Sequence, residues 1–118
     1  MRDDYGSFLP LAPAALHILL ALAGEPRHGY GIMQEIARQS EGRYKLGPGT
    51  LYDNLKKLMN EGVVEESGAG GPDDDPRRRY YRLTRYGRGL LAAEVSRLES
   101  VVHEARLHLR APLPRRVS

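Results

Sequence analysis

The sequence contains no cysteine, which excludes disulfide frameworks, thiolate metal sites and cysteine nucleophiles. No stretch approaches the roughly 20 consecutive apolar residues needed to cross a bilayer, so no membrane partner is expected. The opening Met1-Arg2-Asp3-Asp4 mixes charges and lacks the layout of a secretory leader. No glycine-rich loop follows a strand pattern, because Gly68, Gly70 and Gly71 fall in what reads as a hairpin tip. His103 and His108 superficially suggest a zinc-protease helix, but the second lies at i+5, about 140° round the helix, where zinc needs a pair at i and i+4. His17, in an apolar helix, reads as a packed core residue, and His28 as a residue that fixes a turn. No local context brings a Ser-His-Asp set together. These absences point to a cytoplasmic protein that is not an enzyme and holds neither cofactor nor metal.

The 118 residues fit one domain. The net charge of +3 is only modestly basic, so the location of the charge matters more than its total. Four helical segments and one hairpin can be read along the chain. The first helix spans about 13–23, with Leu16, Leu19, Leu20 and Ala23 on one face and Ile18 and Leu22 on another. A helix apolar nearly all round must be buried on more than one side, which in so small a chain hints at a partner subunit. A second helix follows over about 29–39, striped by Ile32, Met33, Ile36 and Ala37. Arg43-Tyr44-Lys45-Leu46 reads as a minimal strand.

Gly47-Pro48-Gly49-Thr50 opens a third helix, since proline suits a first helical turn. Leu51, Leu55, Leu58 and Met59 form its apolar stripe, and Thr50, Asp53, Lys56, Lys57 and Asn60 lie opposite, with Tyr52 on the flank. Val63 to Glu66 and Arg78 to Leu83 read as a strand pair around a loop containing Asp73, Asp74 and Asp75. Alternation places Arg79, Tyr81 and Leu83 on one face of the return strand. Thr84 is a suitable N-cap for a last helix over about 85–109. There Leu91, Val95, Leu98, Val102, Ala105 and Leu109 recur at alternating steps of 4 and 3, a heptad seam. The seam spans about 27 Å at 1.5 Å per residue, longer than a three-helix module of this size can cover, and therefore reads as a dimer surface.

Two short helices followed by a hairpin is the order of a winged helix-turn-helix. The third helix has the layout of a recognition helix: lysines for phosphates, a threonine and helix N-terminal N–H groups for phosphate oxygens, and Asp53 for a cytosine amino group. From Pro76 to Arg88 there are arginines at 77, 78, 79, 82, 85 and 88, no acid, and interleaved Tyr80, Tyr81 and Tyr86. Such a basic hairpin directly after a recognition helix suits a wing on the DNA backbone or in a minor groove.

His28-Gly29-Tyr30, Gly47-Pro48-Gly49-Thr50-Leu51-Tyr52, Leu55-Lys56-Lys57-Leu58 and Arg79-Tyr80-Tyr81-Arg82-Leu83-Thr84, with Gly87 following, resemble the PadR family of bacterial transcriptional regulators in order and spacing. The resemblance covers about residues 16–109 and is to the smaller branch of the family, which has a single C-terminal helix. It implies a dimeric winged-helix protein, usually a repressor, released from DNA by a small molecule or another signal, with Thr50, Tyr52 and Lys56 near the DNA. Some members stack flat aromatic drugs between tryptophans at the dimer centre, and the absence of tryptophan here counts against that mode. Gly47 stands where members usually carry serine or another capping residue, a small departure because glycine also caps acceptably.

The expected fold is mainly α with a small β-hairpin. An N-terminal arm (1–12) precedes a winged helix-turn-helix (13–84), a C-terminal dimerisation helix (85–109) and a flexible tail (110–118). The expected partners are double-stranded DNA with a palindromic operator, a second copy of the chain, and a small-molecule effector. The DNA-contacting set is Tyr30, Lys45, Gly49, Thr50, Tyr52, Asp53, Lys56, Lys57, Arg77, Arg78 and Arg79. The dimerisation set is Leu16, Leu20, Leu91, Val95, Leu98, Val102, Ala105 and Leu109. The rival class is a winged helix kept as a protein-interaction module, its arginines meeting an acidic partner.

Overall fold

Alanine and leucine cover almost every side of helix α1 (Pro13–Leu22), and the fold is assembled around it. The computed structural model describes residues 4–68, 75 and 77–110. In it α1 touches α2 (Gly29–Gln39), α3 (Pro48–Asn60), α4 (Arg85–Arg110) and strand β3 (Tyr80–Leu83). Ile18, Leu19, Ala21 and Leu22 are buried against Ile32 and Ile36 of α2, Leu51, Leu55 and Leu58 of α3, and Leu90 and Leu91 of α4. Leu16 and Leu20 remain half-buried on the outer side of α1.

The helix starts follow local chemistry. At α2, His28 Nδ1 accepts a hydrogen bond from the Gly31 N–H at 3.0 Å, so the histidine is the N-cap. At α3, Pro48 occupies the first turn, where its missing N–H costs nothing. At α4, Thr84 Oγ1 accepts from the Gly87 N–H at 2.9 Å and donates to the Gly62 carbonyl at 2.6 Å. A methyl group at Gly87 would collide with the Val63 carbonyl oxygen, so glycine lets α4 press onto the backbone where the hairpin begins. Gly62 ends α3 at φ 75°, the left-handed conformation that closes a helix.

The sheet is antiparallel with order β1-β3-β2, formed by β1 (Arg27–His28), β2 (Val64–Ser67) and β3. Tyr81 and Leu83 point into the core and Arg82 outward, as the alternation requires. The strand expected at Arg43-Tyr44-Lys45-Leu46 is not formed; the third strand is β1. The backbone at Tyr44 is satisfied locally, its N–H donating to Ser40 Oγ at 3.0 Å and its carbonyl accepting from that hydroxyl at 3.1 Å. Tyr44 stacks on His17 with centroids 4.2 Å apart, which fits the packed role read for that histidine. Residues 4–12, expected as an arm, form a strap containing a 3-10 turn (Gly6–Phe8), and Phe8, Leu9 and Leu11 pack on the core. Residues 1–3, the hairpin tip with Gly70, Gly71, Asp73 and Asp74, and the tail beyond 110 lie outside the described residues.

Glu35 ties α2 to β1. It accepts from Arg38 Nε and Nη2 at 2.9 and 2.7 Å, and Arg27 Nη2 lies 3.7 Å away. The Arg38 hydrogen bonds, helped by the Arg27 charge and opposed by burial, bring its pKa from 4.5 down to about 2. A carboxylate held below its unfolded value favours folding above that value, and the benefit disappears as pH falls through the folded one. Glu35→Gln is therefore expected to melt about 4 °C lower at neutral pH, roughly the effect of 1 kcal/mol at this chain length. The gap to the parent should close as pH falls from about 4.5 to about 2. Melting followed by circular dichroism checks this, and a gap that stays constant across the range would contradict it.

Candidate nucleic-acid interface

Leu51, Leu55 and Leu58 clamp α3 to the core, and the 3.6-residue repeat then turns Thr50, Asp53, Lys56, Lys57 and Asn60 outward. All five are exposed. Gly49, in the first turn, is exposed, and a Cβ there would meet nothing within 4 Å. Among the described residues, then, nothing crowds Gly49 in the first turn of α3. Lys45 is exposed in the α2–α3 connection, three residues before the helix.

A cleft of about 410 Å³ lies between the flank of α3, the start of α2 and the wing, lined by His28, Tyr30, Tyr52 and Arg77, Arg78 and Arg79. Tyr30 and Tyr52 remain 62% and 48% exposed. A methyl group at Gly29 would collide with Tyr52 Oη, so glycine allows the α3 tyrosine to lie against the α2 terminus. That close approach accounts for a glycine between His28 and Tyr30. The structure therefore brings Tyr30, Tyr52 and the three wing arginines together, while Thr50, Asp53, Lys56 and Lys57 form the adjoining helical face.

The wing arginines are not bare. Arg77 Nε lies 3.2 Å from Asp75 Oδ1, Arg79 Nε 3.8 Å from Glu66 Oε1, and Arg82 Nε 2.9 Å from Glu65 Oε2. Arg78 Nη1 lies 3.2 Å from His28 Nε2. The Arg77 hydrogen bonds hold the Asp75 carboxyl below its usual range. Asp73, Asp74 and Asp75 are the acids that stand out in the sequence beside these arginines, and Glu65 and Glu66 are not read from it as their partners. The signal was there, because pairing Val64 with Leu83 sets Glu65 directly opposite Arg82.

The second surface lies along α4. Its first turns are buried through Gly87, Leu90, Leu91 and Glu94, so Leu91 of the seam serves the core of the chain itself. Beyond them residues 101–110 are exposed throughout. Val95, Val102 and Leu109 are 40%, 45% and 74% exposed, Ala105 is exposed and Leu98 half-buried. Leu16 and Leu20 of α1 are likewise half-buried. Glu104 and His108 approach each other at 3.2 Å, and no group of three metal-ligating side chains occurs among the described residues.

Residues 18–93 match the family described as "Transcriptional regulator PadR-like family". Transcriptional regulator Rv3488 of Mycobacterium tuberculosis is 36% identical over 94 residues, which cover 79% of this chain and 82% of that protein. A PadR family transcription regulator from Clostridium difficile superposes with a TM-score of 0.66 at 24% identity, covering 83% of this chain and 99% of the other, and at that identity it speaks for the fold alone. RosR of H. salinarum superposes with a TM-score of 0.60 at 31% identity, covering 82% of this chain and 79% of the other.

Proposed function

The chain belongs to the transcriptional regulator PadR-like family, and from that premise we propose that it acts as a repressor, a homodimer on a palindromic operator that a small-molecule effector releases. The observation that carries the DNA-binding half of this reading is the outward face of α3. Lys56, Lys57 and Thr50 stand in a row on a helix whose opposite face is locked by buried leucines, so cations and hydroxyl are pre-positioned for a duplex. Tyr52 links that row to the cleft where Arg77, Arg78 and Arg79 would meet backbone phosphates.

The dimer reading is supported by the distal part of α4. A helical end carrying Val95, Val102 and Leu109 exposed has little to hold it in water, because most helical stability comes from packing an apolar face. A twofold partner through this seam and through Leu16 and Leu20 would bury them. It would also present two copies of α3 to half-sites one helical turn apart, near 34 Å.

A second reading has its own support. Three of the wing arginines already pair with carboxylates, which is the chemistry an acidic protein segment would offer. An electrophoretic shift on the DNA upstream of the chain's own gene separates the two. The operator reading expects a shifted band that survives excess random DNA, and the interaction-module reading expects none. Lys56→Ala is expected to weaken binding to specific and random DNA alike and to lower the salt slope by about 1 for each lysine engaged. A loss confined to the operator would instead make Lys56 a base reader.

A further inference from the structure

The flank of α3 that faces away from Tyr52 borders a cavity of about 290 Å³, close to the small end of the range for ligand pockets. Phe8 and Leu11 of the strap, Leu58 of α3 and Leu90 of α4 form its apolar walls, and Asn54, Lys57 and Glu61 its polar ones. The strap wall is fixed in place. The Leu11 N–H donates to Glu94 Oε2 at 2.9 Å, and Tyr86 Oη donates to the Asp4 carbonyl at 3.1 Å. Glu94 is itself buried, and Arg97 hydrogen bonds hold its carboxyl below the usual range, so the anchor stays charged. The site is thus preformed and needs no loop to close over it.

The polar groups are unspent. Lys57 and Glu61 stand one helical turn apart on the same wall, yet among the described residues neither makes an ion pair. Asn54 gives its amide N–H to the Thr50 carbonyl at 2.9 Å, which leaves its carbonyl oxygen as an acceptor. One cation, one anion with an amide acceptor beside it, and an apolar floor are together the complement of a zwitterion with an apolar side chain. A simple fatty acid would leave Glu61 unanswered and a simple amine would leave Lys57 unanswered.

We propose that this cavity is the effector site and that it takes a free apolar α-amino acid, its carboxylate on Lys57, its ammonium on Glu61 and its side chain against Phe8, Leu11, Leu58 and Leu90. The proposal rests on the operator reading in one respect: Lys57 also belongs to the outward row of α3. A carboxylate on Lys57 takes that charge from the DNA, so amino acid and operator compete. Linkage makes the competition reciprocal.

The test is an NMR titration of the full chain with L-leucine and L-phenylalanine at millimolar concentration, alongside L-leucinol, which lacks the carboxylate, and 4-methylpentanoate, which lacks the ammonium. The amino acids are expected to shift amide signals at Ser7, Ala15, Asn54, Lys57 and Glu61. Leucinol and 4-methylpentanoate should bind at least roughly tenfold more weakly, the cost of one lost charge-assisted contact. Lys57→Gln should abolish the preference for leucine over leucinol, and Glu61→Gln the preference over 4-methylpentanoate, each with the fold intact by circular dichroism. Saturating leucine should weaken operator binding by roughly fivefold or more. The proposal is overturned if neither amino acid shifts those signals, if all four compounds bind alike, if the shifts map to the Arg77–Arg79 cleft, or if bound leucine leaves operator affinity unchanged. A chain that bound no operator would defeat the DNA reading, and the titration would still decide whether the cavity holds an amino acid.

Discussion

Raising salt from 50 to 200 mM is expected to weaken DNA binding by about 10³–10⁵-fold, the loss that follows when a complex neutralises about 6–10 phosphates. The cations each copy offers include Lys45 just before α3, Lys56 and Lys57 on α3 and Arg77, Arg78 and Arg79 on the wing, so a dimer has enough to reach that range. Arg77 and Arg79 begin on Asp75 and Glu66 and must leave a carboxylate for a phosphate. Such an exchange releases fewer counter-ions than an arginine taken from bulk solvent, which pulls the expected loss toward the lower end. Fluorescence anisotropy across a salt series measures it, and a flat series would place the binding outside this surface.

Charging the α4 seam is expected to be nearly as damaging. The double variant Val95→Asp, Val102→Asp places carboxylates at two positions that are 40% and 45% exposed in the single protomer, so the protomer core is left intact. In a paired seam the same carboxylates would be buried against each other without partners. The variant should sediment as a monomer and lose about 10²–10⁴-fold in operator affinity, the gain that linking two half-site contacts supplies. Its affinity for an isolated half-site should be unchanged. A variant that remained dimeric, or a monomer that bound the full operator as tightly as the parent, would remove α4 from the interface.

Much of this architecture was legible in the residue pattern because its determinants are local. The spacing of Leu51, Leu55 and Leu58 fixes both the helix and its buried face, and Thr84 announces the start of α4 by a capping chemistry that needs no long-range partner. What the sequence hid depends on contacts between distant segments. The third strand is the two-residue β1 pairing with β3, too short to show a period, and Arg43 to Leu46 was the more strand-like stretch. The strap at residues 4–12 carries no periodic pattern, and its attachment runs through Glu94, which on a helical wheel is one more charged position until Leu11 is brought to it. The exposed face of α3 was legible because its leucine spacing is local, whereas Glu65 and Glu66, the partners of Arg82 and Arg79, sit on the opposite strand and become neighbours only once the register is set.

Selection of genomic DNA fragments on the purified full chain, followed by sequencing, is the most direct measurement of the claim that paired copies of α3 read a duplex. The expected result is one enriched motif with inverted-repeat symmetry whose half-site centres lie about one helical turn apart, lost when Lys56 and Lys57 are both replaced by alanine. Recovery of fragments with no shared motif, or of a motif without twofold symmetry, would contradict it.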